Sequence, residues 1–213
     1  MLRYEQYIPD NASNGAPLFV LLHGRGSHKG DLMALQPYLL PGSLLVTPEA
    51  PFPGAPWGYG PGWAWYRFLG GNRPEPESFE ASQQALGEFL AGLPAQLPVK
   101  PGPLILGGFS QGGVMSLGYA LRNPGAIPFV LNFSGFLPDH PSIGPTPEQV
   151  RGSRIFWGHG THDPMIAFDR AIDGRERLRR AGADLTTGDY PMGHGIELEE
   201  LQAAMAWLRQ GLA

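Results

Sequence analysis

Ser110, Asp163 and His194 are the residues of this chain whose types and order can carry out acyl transfer. A serine hydroxyl is a weak nucleophile until a base takes its proton, and the base works best when an acid orients it. Ser110 stands in Gly108-Phe-Ser-Gln-Gly112, directly after the apolar run Leu104-Ile-Leu-Gly107. Between a buried strand and a helix, Gly-x-Ser-x-Gly makes a tight turn that leaves the hydroxyl exposed at the carboxyl end of a sheet. The five letters alone are weak, because serine and glycine are common. Their setting ahead of the helix-like Val114–Arg122 gives them weight.

His194 is the best base, in the glycine-flanked loop Tyr190-Pro-Met-Gly-His-Gly195 after a strand-like run. Asp163 is the best acid, following Ile155-Phe-Trp-Gly-His-Gly160 in another such loop and preceding Pro164. Each residue has a plainer reading on its own: a helix-capping serine, an N-cap or turn aspartate, a loop histidine. The order serine, aspartate, histidine at successive strand ends is the one an α/β-hydrolase sheet requires. Asp189 and Asp169 are alternative acids, the first expected within a strand and the second on a helix. His23 and His159 read as structural, with His159 shaping a turn, and His140 reads as superficial. His23, His159, His162 and Asp163 lack a spacing such as His-Glu-x-x-His, so no metal site is expected.

Acyl transfer also needs two donors aimed at the oxygen on which charge develops. The backbone N–H of Gln111, just after the serine, supplies one candidate. The turn His23-Gly-Arg-Gly-Ser27 supplies the other through the N–H of Arg25. The Arg25 side chain could meet an anionic substrate group, although solvation or pairing with Asp31 or Glu49 is the simpler expectation. Substrate-pocket candidates are Trp57, Tyr59, Trp63, Trp65 and Tyr66, crowded with Phe68 into one glycine- and proline-rich segment that reads as a wall or partial lid. Core packing is an equal expectation for Trp65 and Phe68. Phe136, Met165 and Ile166 are candidates for the opposite side.

The elements that must position these groups follow from the apolar pattern. Arg3–Ile8 alternates as an edge strand would. Pro17–His23, Leu44–Thr47, Leu104–Phe109, Ile127–Phe133, Ser153–Trp157 and Leu185–Tyr190 read as strands, most of them without a polar face. Helical spacing marks Leu32–Leu40, Glu77–Leu93, Gly112–Leu121, Ile166–Ala181 and Leu198–Leu208, whereas Ala50–Pro76 reads as irregular. Strands alternating with helices predict an α/β fold with a mostly parallel central sheet flanked by helices. Ligands of such sheets bind beyond the carboxyl ends of the strands. No linker divides the chain, so residues 1–213 are expected to form one domain.

Composition narrows the function. With 42% hydrophobic and 16% charged residues, the chain has the makings of a sizeable core. A formal charge of -4 argues against a nucleic-acid surface. The basic cluster Arg175–Arg180 reads as a solvated helix face. With no cysteine, disulfides and thiol nucleophiles are excluded. Neither an export leader nor an apolar run long enough to cross a membrane is visible, so a cytoplasmic protein without stable membrane insertion is expected. Monomer and homodimer stay equally open.

The chain resembles the phospholipase/carboxylesterase family of small α/β-hydrolases, which includes the acyl-protein thioesterases. The resemblance spans nearly the full length and rests on Leu22-His-Gly-Arg-Gly26, Gly107-Gly-Phe-Ser-Gln-Gly-Gly113, Gly158-His-Gly-Thr-His-Asp-Pro164 and Gly193-His194. It implies a serine hydrolase with no cofactor and no large cap domain, with Ser110 as nucleophile, Asp163 as acid, His194 as base and Arg25 and Gln111 at the oxyanion positions. Gly62-Trp-Ala-Trp-Tyr66 resembles a family segment near the acyl pocket. Arg25 stands where relatives often carry a bulky aliphatic residue, and Pro51–Gly62 is unusually rich in glycine and proline. From the ordered triad and the two oxyanion turns, the leading expectation is a carboxylesterase for a small-molecule ester of a small to medium acyl group, with acyl thioesters or lysophospholipids as the alternative. A non-catalytic binding protein on the same fold and a peroxide-using hydrolase are further readings.

Overall fold

The computed structural model describes residues 1–212. Its central sheet has seven strands in the order β1-β3-β2-β6-β7-β8-β9. Here β1 is Tyr4–Tyr7, β2 Leu18–Leu22, β3 Leu44–Pro48, β6 Leu104–Phe109, β7 Phe129–Phe133, β8 Arg154–Gly160 and β9 Asp184–Tyr190. Only β1 runs antiparallel to its neighbour. A small hairpin of β4 (Phe52–Pro53) and β5 (Trp63–Ala64) lies apart from the main sheet.

The central strands are buried from end to end in β2, β3 and β7, as continuous apolar runs covered on both faces must be. Helices α1 (Pro76–Gly92), α2 (Gln111–Arg122) and α3 (Phe168–Arg180) cover one face, where Phe79, Leu86, Phe89, Val114, Leu117, Ala171 and Leu178 join Val20, Leu106 and Ile155. Helix α4 (Leu198–Leu212) covers the other, packing Leu201, Met205 and Leu208 with Phe19, Leu131 and Phe156. This is the expected α/β-hydrolase architecture.

Four features depart from the sequence expectation. The first expected helix is a 3-10 helix over Asp31–Tyr38, because Pro37 inside it lacks the N–H that α-helical pairing needs. The aromatic segment is not wholly irregular, since it holds the β4–β5 hairpin and a 3-10 turn at Ala55–Trp57. Arg175 is not solvated. It faces the sheet, donates to the carbonyls of Trp157 (2.8 Å) and Gly188 (3.1 Å), and pairs with Asp189. His140 also proves buried, its ring 5.0 Å from that of Phe79. No helix among the described residues is long and apolar enough to cross a membrane.

Candidate active site

Every candidate reactive residue follows a parallel strand at the same edge of the sheet. Ser110 comes directly after β6, Asp163 three residues after β8 ends and His194 four residues after β9 ends. The turn at Ser110 puts it at φ 54°, a left-handed conformation that a non-glycine residue adopts only when its surroundings hold it there. Those surroundings are backbone. A Cβ on Gly112 would run into the Leu22 carbonyl, and one on Gly108 would lie 2.5 Å from the same oxygen. The two glycines let α2 start against β2, which turns the serine outward.

His194 Nε2 lies 3.0 Å from Ser110 Oγ, and His194 Nδ1 lies 2.7 Å from Asp163 Oδ2. The carboxylate can only accept from Nδ1–H, so the neutral ring keeps Nε2 free to accept the serine proton. Phe109 supports the imidazole, with 4.8 Å between ring centroids. The Asp163 side chain is fully buried, and its Oδ1 accepts the N–H groups of Met165 and Ile166, both at 2.8 Å. Backbone donors thus satisfy the carboxylate that desolvation would otherwise penalise.

The N–H groups of Arg25 and Gln111 have no acceptor among the described residues, and both residues line the cleft that holds Ser110. For Gln111 this follows from its place as the first residue of α2. Its side chain has a task the sequence did not disclose. Gln111 Oε1 accepts the Trp65 N–H (3.0 Å) and its Nε2 donates to the Tyr66 carbonyl (2.8 Å), clamping the aromatic segment to the serine turn.

The cleft is a shallow hollow of about 50 Å³ lined by Arg25, Tyr66, Phe68, Ser110, Gln111, Phe136, Met165, Ile166 and His194. Of the pocket candidates, Tyr66, Phe136, Met165 and Ile166 therefore reach it, joined by Phe68. Trp57, Tyr59, Trp63 and Trp65 do not. Trp65 is wholly buried, its indole donating to the His23 carbonyl at 2.9 Å. Trp63 lies under the Arg3 guanidinium, and Trp57 packs on Phe52 and Tyr59. Tyr59 accepts the Phe68 N–H at its hydroxyl (2.8 Å) and supports Arg25 on its ring face. Of these four, Tyr59 and Trp65 back the cleft, through Phe68 and Arg25 and through Gln111 respectively. A roomier hollow of about 510 Å³ lies between α1 and α2, around Glu80, Tyr119 and Arg122, remote from the serine turn.

Two other histidines, His23 and His159, are held by backbone. His23 Nδ1 donates to the Gly24 carbonyl (2.8 Å) while Nε2 accepts the Ala50 N–H (3.1 Å), and burial lowers its pKa. His159 donates from Nε2 to the Ile166 carbonyl (2.9 Å), and burial lowers its pKa too. Asp189 is engaged by Arg175, and Asp169 sits in the first turn of α3. Among the described residues no group of three or more histidine, aspartate or glutamate side chains is gathered as metal ligands would be.

A left-handed serine between strand and helix, bonded through histidine to a buried aspartate on this sheet, defines a serine hydrolase of the α/β-hydrolase class. The chain belongs to the phospholipase/carboxylesterase family, whose profile matches residues 5–211. It is similar to the acyl-protein thioesterase 1 of Candida albicans, at 28% identity with 95% of each chain covered. A probable carboxylesterase, SOBER1-like, of Arabidopsis thaliana is 34% identical over 53% of this chain and 44% of its own. The matched region thus spans about half the length of the plant carboxylesterases it resembles. The crystal structure of esterase PE8 superposes with a TM-score of 0.81 at 29% identity, covering 98% of both chains.

Proposed function

We propose that this chain is a carboxylesterase that hydrolyses small to medium acyl esters through a covalent acyl-serine. The observation that carries the reading is the continuous hydrogen-bonded line from Asp163 through His194 to Ser110, opening on a mostly apolar cleft. Ser110 Oγ bonds to the ester carbonyl carbon as its proton passes to His194 Nε2. Asp163 holds the resulting imidazolium, and the Arg25 and Gln111 N–H groups receive the oxyanion. Collapse breaks the bond to the alcohol oxygen, which leaves with the proton from His194. Water then attacks the acyl-serine by the same route, giving up a proton to His194 and restoring the serine hydroxyl.

The small cleft supports short acyl chains, since pockets for drug-sized ligands run to about 300–1,000 Å³. Thioester hydrolysis is the second reading, favoured by the likeness to an acyl-protein thioesterase over 95% of the chain. Turnover of matched oxygen esters and thioesters across acyl lengths separates the two, and a preference for long-chain thioesters reverses their order. Ser110→Ala tests both. It should lower turnover by at least about 10³-fold and abolish labelling by a serine-directed phosphonate, with the fold intact. Undiminished turnover in that variant refutes the serine mechanism.

A further inference from the structure

Arg25 contributes more to the cleft than an N–H group. Its guanidinium is the one arginine or lysine charge among the cleft residues, and no carboxylate lines the cleft. The pairings expected for it are taken: Asp31 accepts from the Ser27 hydroxyl at 2.7 Å, and Glu49 pairs with Arg3 at 2.6 Å. Instead the exposed guanidinium lies over the Tyr59 ring, 4.7 Å from its centroid. That ring is fixed in turn by the hydrogen bond from Phe68 N–H. A cation stacked this way leaves the N–H groups at its edge free for an acceptor.

A second observation converges on the same place. Tyr66 lines the cleft, is completely buried, and its hydroxyl has no hydrogen-bond partner. A buried hydroxyl without a partner is costly, and such groups call for an explanation. Burial pushes the phenol up, so it keeps its proton and can donate, and the Arg25 charge acts on it from nearby. Two donors, with no carboxylate among the residues that line the cleft beside Ser110, suit a ligand oxygen that carries negative charge.

Building on the ester-hydrolase reading, we propose that the preferred substrates are half-esters of short dicarboxylic acids, whose free carboxylate is received by Arg25 and the Tyr66 hydroxyl while the ester carbonyl faces Ser110. The small cleft limits the spacer to a few carbons.

The test compares monomethyl succinate with methyl 4-methylpentanoate, a neutral ester of matching shape. Wild-type kcat/KM should favour the half-ester by at least about tenfold, and added salt should narrow the gap. The ratio should collapse toward one in Arg25→Gln, recover in part in Arg25→Lys, and fall severalfold in Tyr66→Phe. Free succinate should inhibit turnover of the neutral ester competitively, which needs no variant to fold. Equal turnover of both esters by the wild type, a ratio that survives Arg25→Gln, or absence of inhibition by succinate overturns the inference alone. Failure of the wild type to hydrolyse either ester removes the esterase reading and this inference together.

Discussion

Asp163 engages three donors with two oxygens. Oδ1 accepts from two successive backbone N–H groups, which fixes the loop, and Oδ2 accepts from His194, which fixes the ring. An asparagine of the same shape must turn its NH₂ toward one of these donors. If it faces His194, the ring is pushed into the tautomer that cannot accept the serine proton. If it faces the backbone, the loop loses two hydrogen bonds. Asp163→Asn should therefore lower kcat by about 10³–10⁴-fold, as measured by steady-state ester hydrolysis. A fall of less than tenfold would show that another group orients the base. His159 does not qualify as that group, since its Nε2 is committed to the Ile166 carbonyl.

Packing of α4 on the β8–β9 pair places a second carboxyl in a very different setting. Glu200, in the first turn of α4, is completely buried over Gly158. A Cβ at Gly158 would collide with the Glu200 carboxyl, so the strand gives up its side chain there to make room. Burial pushes the carboxyl up to about 8 from its ordinary 4.5, against the pull of the Glu197 backbone N–H and the Arg175 charge. The folded state thus binds this proton more tightly than the unfolded chain does. The contribution to stability is complete below pH 4.5 and is lost progressively as pH rises through 8. Glu200→Gln should match the wild type in melting temperature near pH 4.5. It should then gain on the wild type up to about pH 8 and hold a constant lead above it. Parallel melting curves over that range would disprove the linkage. Burial also lowers the pKa of His23, His140 and His159, and because both proteins carry these histidines their effect cancels in the comparison.

Across the whole molecule, sequence legibility followed the range of the interactions involved. Fully buried strands such as β2 and β7 announce themselves as apolar runs, and the candidate reactive residues follow β6, β8 and the less buried β9 by one to four positions. The aromatic segment was opaque because glycine and proline remove the periodicity that tells one face from the other. Trp65 is sorted into the core by Gln111, 46 residues away, and by the His23 carbonyl, 42 residues away. Arg175 likewise resembles its solvated neighbours Arg179 and Arg180 until two strands bring their carbonyls to it. Pro37, by contrast, was visible all along as a reason for Asp31–Tyr38 to wind more tightly.

The outer strand β9 has a consequence for the molecule as a material. It ends the sheet with one edge of its backbone open, and an open edge can template the addition of another chain. Its residues are mostly exposed or half-buried, and the carboxylates of Asp184 and Asp189 are drawn back by Arg154 and Arg175. Gly188 leaves a gap in the side-chain row that Asp184 begins. Polymerisation through stacked strands needs a flat, apolar, uncharged rim, and this rim offers anions, a gap and guanidinium clamps in its place. Resistance to growing into a fibre is thus built into the same strand that delivers His194, the candidate base.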